Sequence, residues 1–278
     1  MYKICIISVK GVFWQKKNSM QFLDREKESA RLKRAFEREK PQLIVVYGRR
    51  RIGKSTLIKH LLTPDNGDVY FLADKTSEPS QRQLFVSAVS GVMPGFDKVN
   101  YPDWESLFGS IARSLKGRIK ICLDEFSYMV KSCPSLPSVI QKLIDNQILN
   151  FDLILCGSSQ QMMQGFVLDS HEPLYGRADE ILHLKPLPAP YIADKLCCDE
   201  EQAVSEYAVW GGISRYWELR NNYETFYEAI ENLLFSADGT LYDESNRLLI
   251  DEMRDTVQAS SILFFIGNGA NKLSEIAA

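Results

Sequence analysis

Short apolar runs alternate with amphipathic segments through most of the chain, and this pattern predicts an α/β fold. Five runs have the length of buried strands, and they cover residues 43–47, 69–73, 119–123, 151–156 and 181–184. Helical periodicity lies between them, near residues 24–39, 55–62, 79–92, 103–116 and 137–149. Strands that alternate with helices at this spacing are typical of a mostly parallel sheet.

The pattern of apolar runs also divides the chain into parts of unequal length. The strand pattern stops near residue 189, and segments 190–197, 200–209, 214–220 and 223–235 have helical character. We therefore expect an α/β core over 20–188 and a small helical unit over 189–236. Residues 1–19 match nothing around them, so we expect an upstream extension, with Met20 as the functional start.

Composition narrows the class of protein. With 45% apolar and 25% charged residues, the 278-residue chain has the balance of an ordinary globular protein. No apolar run approaches the roughly 20 residues that a membrane span needs. The six cysteines form no C-x-x-C pair and the three histidines are not spaced as metal ligands. Reduced thiols in a cytoplasmic protein without a membrane partner are the expectation.

Charge is unevenly placed along the chain. Residues 1–60 contain 16 basic and 5 acidic residues, whereas the remainder contains 17 basic and 31 acidic residues. The asymmetry indicates an anionic partner near the amino end, either phosphate or nucleic acid. A solvated basic surface is the alternative interpretation.

Residues 48–55, GRRRIGKS, match the phosphate-binding pattern G-x-x-x-x-G-K-[ST]. An apolar strand precedes the match and a helical segment follows it, which is the context that the pattern requires. Lys54 is expected to neutralise phosphate charge, and Ser55 to offer its hydroxyl to Mg²⁺. The expected nucleotide contacts are Gly48, Arg49, Arg50, Arg51, Ile52, Gly53, Lys54, Ser55 and Thr56. One or two of the three arginines are instead expected to pair with carboxylates elsewhere in the fold.

Two later strands end in polar residues that suit hydrolysis. Asp124 and Glu125 follow the third strand, where Asp124 suits the Mg²⁺ shell and Glu125 suits a general base for water. A merely polar strand exit is the alternative. Ser158, or secondly Ser159, is placed to contact the attacking water and the γ-phosphate, although either is equally suited to cap the next helix.

Arg177 precedes the fifth strand in the sequence PLYGR. An arginine here is a candidate finger that stabilises charge on the transferred phosphoryl group of a neighbouring subunit, which would require a homo-oligomer. A surface salt bridge is the alternative.

Together these segments resemble the prokaryotic AAA+/STAND-type P-loop ATPases, often called archaeal-type ATPases. The resemblance is carried by residues 22–28, 46–55, 123–126, 155–159, 173–177 and 207–213. It implies the sheet order 5-1-4-3-2, ATP as the nucleotide, and a lid formed by the helices of 190–235. It also implies that Phe22, Arg25 and Glu26 lie near the adenine.

The chain departs from the family pattern at its carboxyl side. Ser214 stands where the family usually has proline, and Arg215 is a candidate second sensor. Residues 261–277 resemble the start of a winged helix, so the resemblance implies an incomplete winged-helix segment over 237–278.

The sequence thus predicts a Mg²⁺-dependent ATPase with Glu125 as base, which couples nucleotide state to a carboxyl-terminal effector domain. An ATP-dependent switch with slow turnover, gating a protein partner or a DNA contact, is the main alternative. A small-molecule kinase and an inert remnant with weak nucleotide binding are two others. Nucleic-acid binding stays undecided on the sequence.

Overall fold

A computed structural model of the chain describes residues 25–158, 163, 165, 169–196, 199–252 and 256–276. Its centre is one sheet of five strands: β1 (Leu43–Tyr47), β2 (Val69–Leu72), β3 (Lys120–Asp124), β4 (Asp152–Gly157) and β5 (Glu180–His183). The order is β2-β3-β4-β1-β5 and every neighbouring pair is parallel. The predicted α/β fold and sheet order are therefore confirmed.

Six described helices are connected with this sheet: α1 (Glu26–Phe36), α2 (Lys54–Leu61), α3 (Glu78–Ser90), α4 (Trp104–Ser114), α5 (Phe126–Ser132) and α6 (Leu136–Asp145). Short 3₁₀ turns cover Pro64–Asn66 and Phe96–Lys98. Helix α5 was not predicted from the hydrophobic pattern. This helix forms because Phe126 and Met129, spaced i, i+3, are both fully buried against the sheet.

Helices cover both faces of the sheet, which explains why its strands are almost continuously apolar. Side chains of α3, α4, α5 and α6 form one core with alternate strand residues such as Val45, Leu123 and Leu155. On the other face, α1 and α2 pack on Val46, Cys156 and their neighbours. The phosphate loop therefore enters a helix that is buried on the second face.

The segment after β5 is helical; its part up to Leu241 packs on the same face as α1 and α2, whereas the described residues of 257–276 are mostly exposed. Its described elements are the helices Ala189–Leu196, Glu200–Trp210, Ser214–Arg220 and Phe226–Ile230, the π-helical turn Glu231–Phe235, and the helices Glu244–Glu252, Thr256–Gly267 and Leu273–Ile276. None of the helices described here is both long enough and apolar enough to cross a bilayer. The expectations for residues 1–19, Met20, Phe22 and Ser159 lie outside the described residues.

Candidate functional site

The predicted site residues of three strands meet at one edge of the sheet, because parallel strands present their carboxyl ends together. The loop that follows β1 is shaped by two glycines. Gly48 has φ +154°, and a Cβ added there would lie 2.4 Å from the carbonyl oxygen of Leu184. Gly53 has φ +99°, in the left-handed region that favours glycine. The loop conformation thus depends on both glycines of the motif.

Lys54 is the first residue of α2, and its side chain lies beneath the loop. Only 5% of the residue is exposed, and its Nζ donates hydrogen bonds to the carbonyl oxygens of Gly48 (2.8 Å) and Arg49 (3.0 Å). Burial lowers the pKa of Lys54, while the nearby Asp124 and Glu125 carboxylates act in the opposite direction. A buried cation beside the loop is suited to anionic ligands.

Asp124, at the end of β3, collects three hydrogen bonds although only 1% of it is exposed. Its Oδ2 accepts from the Ser55 hydroxyl (2.6 Å) and from the Tyr70 hydroxyl (2.5 Å). Its Oδ1 accepts from the Glu125 backbone N–H (2.8 Å). The Ser55 hydroxyl and the Asp124 carboxylate are hard oxygen donors at adjacent positions, which fits the ligand preference of Mg²⁺.

Glu125 is held by its neighbours in an unusual backbone conformation. Its φ is +53°, a left-handed value that costs a non-glycine residue about 1–2 kcal/mol. The Ser158 hydroxyl donates to Glu125 Oε1 over 2.7 Å, so the ends of β3 and β4 are joined by their polar side chains. Non-glycine residues in this region persist only where the surroundings impose them, and they cluster at functional sites.

Residues 51–52 of the phosphate loop contact Arg25, just before α1, and the first residues of the helix Ser214–Arg220. Arg25, 5% exposed, donates to the carbonyl oxygen of Ile52 (3.3 Å), and the Ser214 hydroxyl donates to the same oxygen (3.3 Å). The backbone N–H of Arg215 donates to the Arg51 carbonyl oxygen (3.3 Å). The structure therefore brings Arg25, a residue of the predicted adenine box, and the start of the helix Ser214–Arg220 to one turn of the loop.

The three loop arginines have different surroundings. Arg49 is half-buried and Arg50 is exposed, as is Thr56. Arg51 has φ +65°, and its guanidinium forms an ion pair with Glu244 (2.5 Å). The prediction that one arginine pairs with a carboxylate elsewhere in the fold is thus confirmed for Arg51.

Arg177 lies apart from this cluster. Its guanidinium contacts both carboxylate oxygens of Asp145 (2.9 and 2.8 Å) and the carbonyl oxygen of Pro173 (3.0 Å). Hydrogen bonding from Arg177 lowers the pKa of Asp145. Within the chain, Arg177 thus forms the surface salt bridge that was the alternative interpretation, and its action on a neighbouring subunit stays a prediction.

Two residues that contact the site, Tyr70 and Glu244, were not predicted from the sequence. Tyr70 faces Asp124 from β2, and Glu244 pairs with Arg51 from the helix Glu244–Glu252. Tyr70 could have been noticed in the sequence, because it carries the only hydroxyl in the otherwise apolar strand β2. Its partner could be identified only after the order and register of β2 and β3 were known.

This fold and loop define a P-loop NTPase. The comparison with protein families agrees, since residues 22–197 match the model of an ATPase domain predominantly from Archaea. The match covers more than half of the chain, and the chain therefore belongs to this family of archaeal-type P-loop ATPases. The matched residues are therefore an ATPase domain of this family.

Individual relatives are consistent with this assignment. An uncharacterized protein of Methanocaldococcus jannaschii is 32% identical over 259 residues, which are 92% of this chain and 56% of that protein. The chain thus spans a little over half the length of that relative.

Two solved structures share the fold. A Walker-type ATPase of Pyrococcus abyssi has a TM-score of 0.61 at 21% identity, over 92% of this chain and 82% of that one. The Aeropyrum pernix ORC1 protein, solved in complex with DNA, has a TM-score of 0.51 at 18% identity, over 92% and 76%. At these identities the likeness concerns the fold alone.

Proposed function

We propose that the chain hydrolyses ATP to ADP and phosphate with Mg²⁺, at the edge of the sheet where β1, β3 and β4 end. The observation that carries this proposal is the unbroken series of hydrogen bonds from Ser55 through Asp124 and Glu125 to Ser158, beside the buried Lys54. The series supplies two oxygen ligands for a cation, a carboxylate base and a hydroxyl in one continuous cluster.

The loop residues have separate tasks in this proposal. Backbone N–H groups of 48–56 bind phosphate oxygens, and Lys54 turns from the carbonyls of Gly48 and Arg49 towards the β- and γ-phosphates. Ser55 and Asp124 hold Mg²⁺, which when bound neutralises charge on the phosphate oxygens. Arg25 adjoins the adenine, and the lid over 189–236 closes on the nucleotide through Ser214.

Glu125 acts as the general base. It accepts a proton from water while the water oxygen bonds to the γ-phosphorus and the bond from that phosphorus to the β–γ bridging oxygen breaks. Ser158 donates its hydrogen bond to Glu125 and orients the carboxylate. The products are ADP, inorganic phosphate and the proton that Glu125 later releases to solvent.

Two substitutions in the full chain test these roles. We expect Lys54→Ala to lose ATP binding, and Glu125→Gln to keep ATP binding while phosphate release falls by about 10²–10⁴-fold. Binding is measured by calorimetry with Mg²⁺, and turnover by phosphate release. Lys142→Ala and Glu105→Gln are matched controls, because these residues form an exposed ion pair with each other. Undiminished hydrolysis in Glu125→Gln would remove that residue from its role.

Arg177 acts on the site of a neighbouring copy in this proposal. Because Asp145 already holds the guanidinium, assembly has to draw Arg177 from that carboxylate. We expect specific activity to rise with protein concentration, and a mixture of Arg177→Ala with Glu125→Gln to recover activity that neither variant has alone. Activity independent of concentration, with no recovery in the mixture, would contradict action between subunits.

A switch with slow turnover is the second candidate function. The observation that favours it is that Glu125 is already bonded to Ser158 and Arg177 to Asp145, so two catalytic groups are engaged within the chain. ATP bound tightly with negligible single-turnover hydrolysis would support the switch, whereas rapid single turnover followed by quick ADP release would support the hydrolase.

A further inference from the structure

One loop arginine, Arg51, contacts the segment that follows the lid. Arg51 has φ +65° in the middle of the phosphate loop, where a glycine would meet no steric penalty. An arginine at this position therefore needs a compensating contact. Its guanidinium provides one, because it lies 2.5 Å from Glu244 Oε2.

Three parts of the chain meet at the Glu244 carboxylate. Glu244 begins the helix Glu244–Glu252 and is only 8% exposed. Its Oε1 accepts a hydrogen bond from the Tyr216 hydroxyl (2.8 Å), and Tyr216 lies on the lid helix Ser214–Arg220. The phosphate loop, the lid and the helix beyond the lid are thus joined by one buried carboxylate.

The same turn of the loop has further contacts with the lid. The Arg51 carbonyl accepts from the Arg215 N–H, and the next carbonyl accepts from Ser214. Burial and the bond to Glu244 raise the pKa of Tyr216, so its hydroxyl stays a donor at neutral pH. A change in the loop therefore acts on the lid and on Glu244 together.

We propose that Glu244 and the phosphates of the nucleotide compete for Arg51, so that nucleotide binding releases the helix Glu244–Glu252 from the phosphate loop. This inference rests on the proposed function, because it assigns the residues through which nucleotide state reaches the segment 237–278. Phosphate oxygens bring several negative charges to the loop, and Arg51 is the loop cation that Glu244 neutralises.

Reciprocity makes the competition measurable. If nucleotide weakens the contact of Glu244 with Arg51, loss of the Glu244 charge must strengthen nucleotide binding by the same factor. Couplings between sites of this kind are typically about 5–150-fold. Glu244→Gln removes the charge but keeps an oxygen that accepts from Tyr216, so it perturbs the ion pair alone.

The experiment uses the full chain with a non-hydrolysable ATP analogue and Mg²⁺. Affinity is measured by calorimetry, and hydrogen exchange is followed in peptides that cover 244–252. We expect Glu244→Gln to bind the analogue at least about five-fold more tightly than the wild type. In the wild type the analogue should increase exchange over 244–252, and in Glu244→Gln exchange should already be high without it.

Asp243→Asn is the matched control, because it removes the same unit of charge from an exposed neighbour. Its affinity should equal that of the wild type. If Glu244→Gln does not fold, Arg51→Gly breaks the same ion pair from the other side and should raise exchange over 244–252 without nucleotide.

The outcomes separate the two proposals. Two results would overturn the competition and leave the proposed function standing. One is equal nucleotide affinity in the wild type and Glu244→Gln, and the other is slower hydrogen exchange over 244–252 when nucleotide binds. A wild type that binds no nucleotide overturns both.

Discussion

The contact between Tyr70 and Asp124 yields a sharp test of the site. Tyr70→Phe removes one hydroxyl and keeps the ring, including its contact with the Lys59 ammonium at 4.3 Å from the ring centre. Asp124 Oδ2 then loses one of its two hydroxyl donors, and the Ser55 hydroxyl remains. Burial and the bond to Asp124 raise the pKa of Tyr70, so the lost group is a protonated donor at neutral pH.

The size of the effect follows from the kind of bond. A hydrogen bond to a charged group contributes about 1.5–3 kcal/mol, and loss of a residue that orients a metal ligand typically lowers metal affinity or activity by about 10–100-fold. Because Asp124 keeps its bonds to Ser55 and to the Glu125 N–H, we expect the lower end, about tenfold in the Mg²⁺ concentration for half-maximal activity.

The assay is a Mg²⁺ titration of phosphate release at saturating ATP, combined with ATP binding measured in a chelator. Tyr70→Phe should shift the titration and leave binding without Mg²⁺ unchanged. Tyr101→Phe is the control, since Tyr101 is a buried tyrosine that bonds the Phe96 carbonyl oxygen instead. An unshifted Mg²⁺ titration, or an equal loss of ATP binding with and without Mg²⁺, would refute the positioning of Asp124 by Tyr70.

Two further predictions concern stability and are checked by urea unfolding. Glu206→Gln should lower the free energy of unfolding by about 3–5 kcal/mol, because Arg220, whose side chain is 5% exposed, loses its buried carboxylate partner. Glu218→Gln removes the exposed partner of Arg215 and should lower it by under about 1 kcal/mol. Equal losses in the two variants would contradict the distinction between buried and exposed pairs. Asp103→Ala should cost about 1 kcal/mol at pH 7, because Asp103 caps α4 through the Ser106 N–H. The bond to Ser106 lowers the pKa of Asp103, so the cap stabilises the fold at neutral pH and this contribution is lost as the pH falls through the lowered pKa. A stability difference between wild type and Asp103→Ala that persists undiminished in acid would count against the cap.

Much of the architecture could be predicted because its causes are local. The apolar run 43–47, the glycines of the loop and the lysine that follows them are recognised by spacing alone, and the structure has β1, the loop and α2 at these places. The order of the sheet came from the family resemblance, since periodicity does not indicate which strands are neighbours. Helix α5 was missed because a seven-residue helix is too short to display a clear period.

The contacts among the site residues depended on the tertiary structure. Ser158 was predicted beside the chemistry, yet its bond to Glu125 follows from the pairing of β3 with β4. The partner of Arg177 could not be read from the sequence, because Asp145 lies 32 residues earlier in the chain, at the end of α6, and no local spacing links the two.

The sequence by itself determined the class of protein, because a phosphate loop between a buried strand and a helix is a local feature with a local cause. Only the tertiary structure decided that Tyr70 supports Asp124 and that Glu244 holds Arg51. Both contacts join residues far apart in the chain. Their partners are selected by strand register and by the packing of the helical segment after β5 on the sheet, which no pattern of neighbouring residues records.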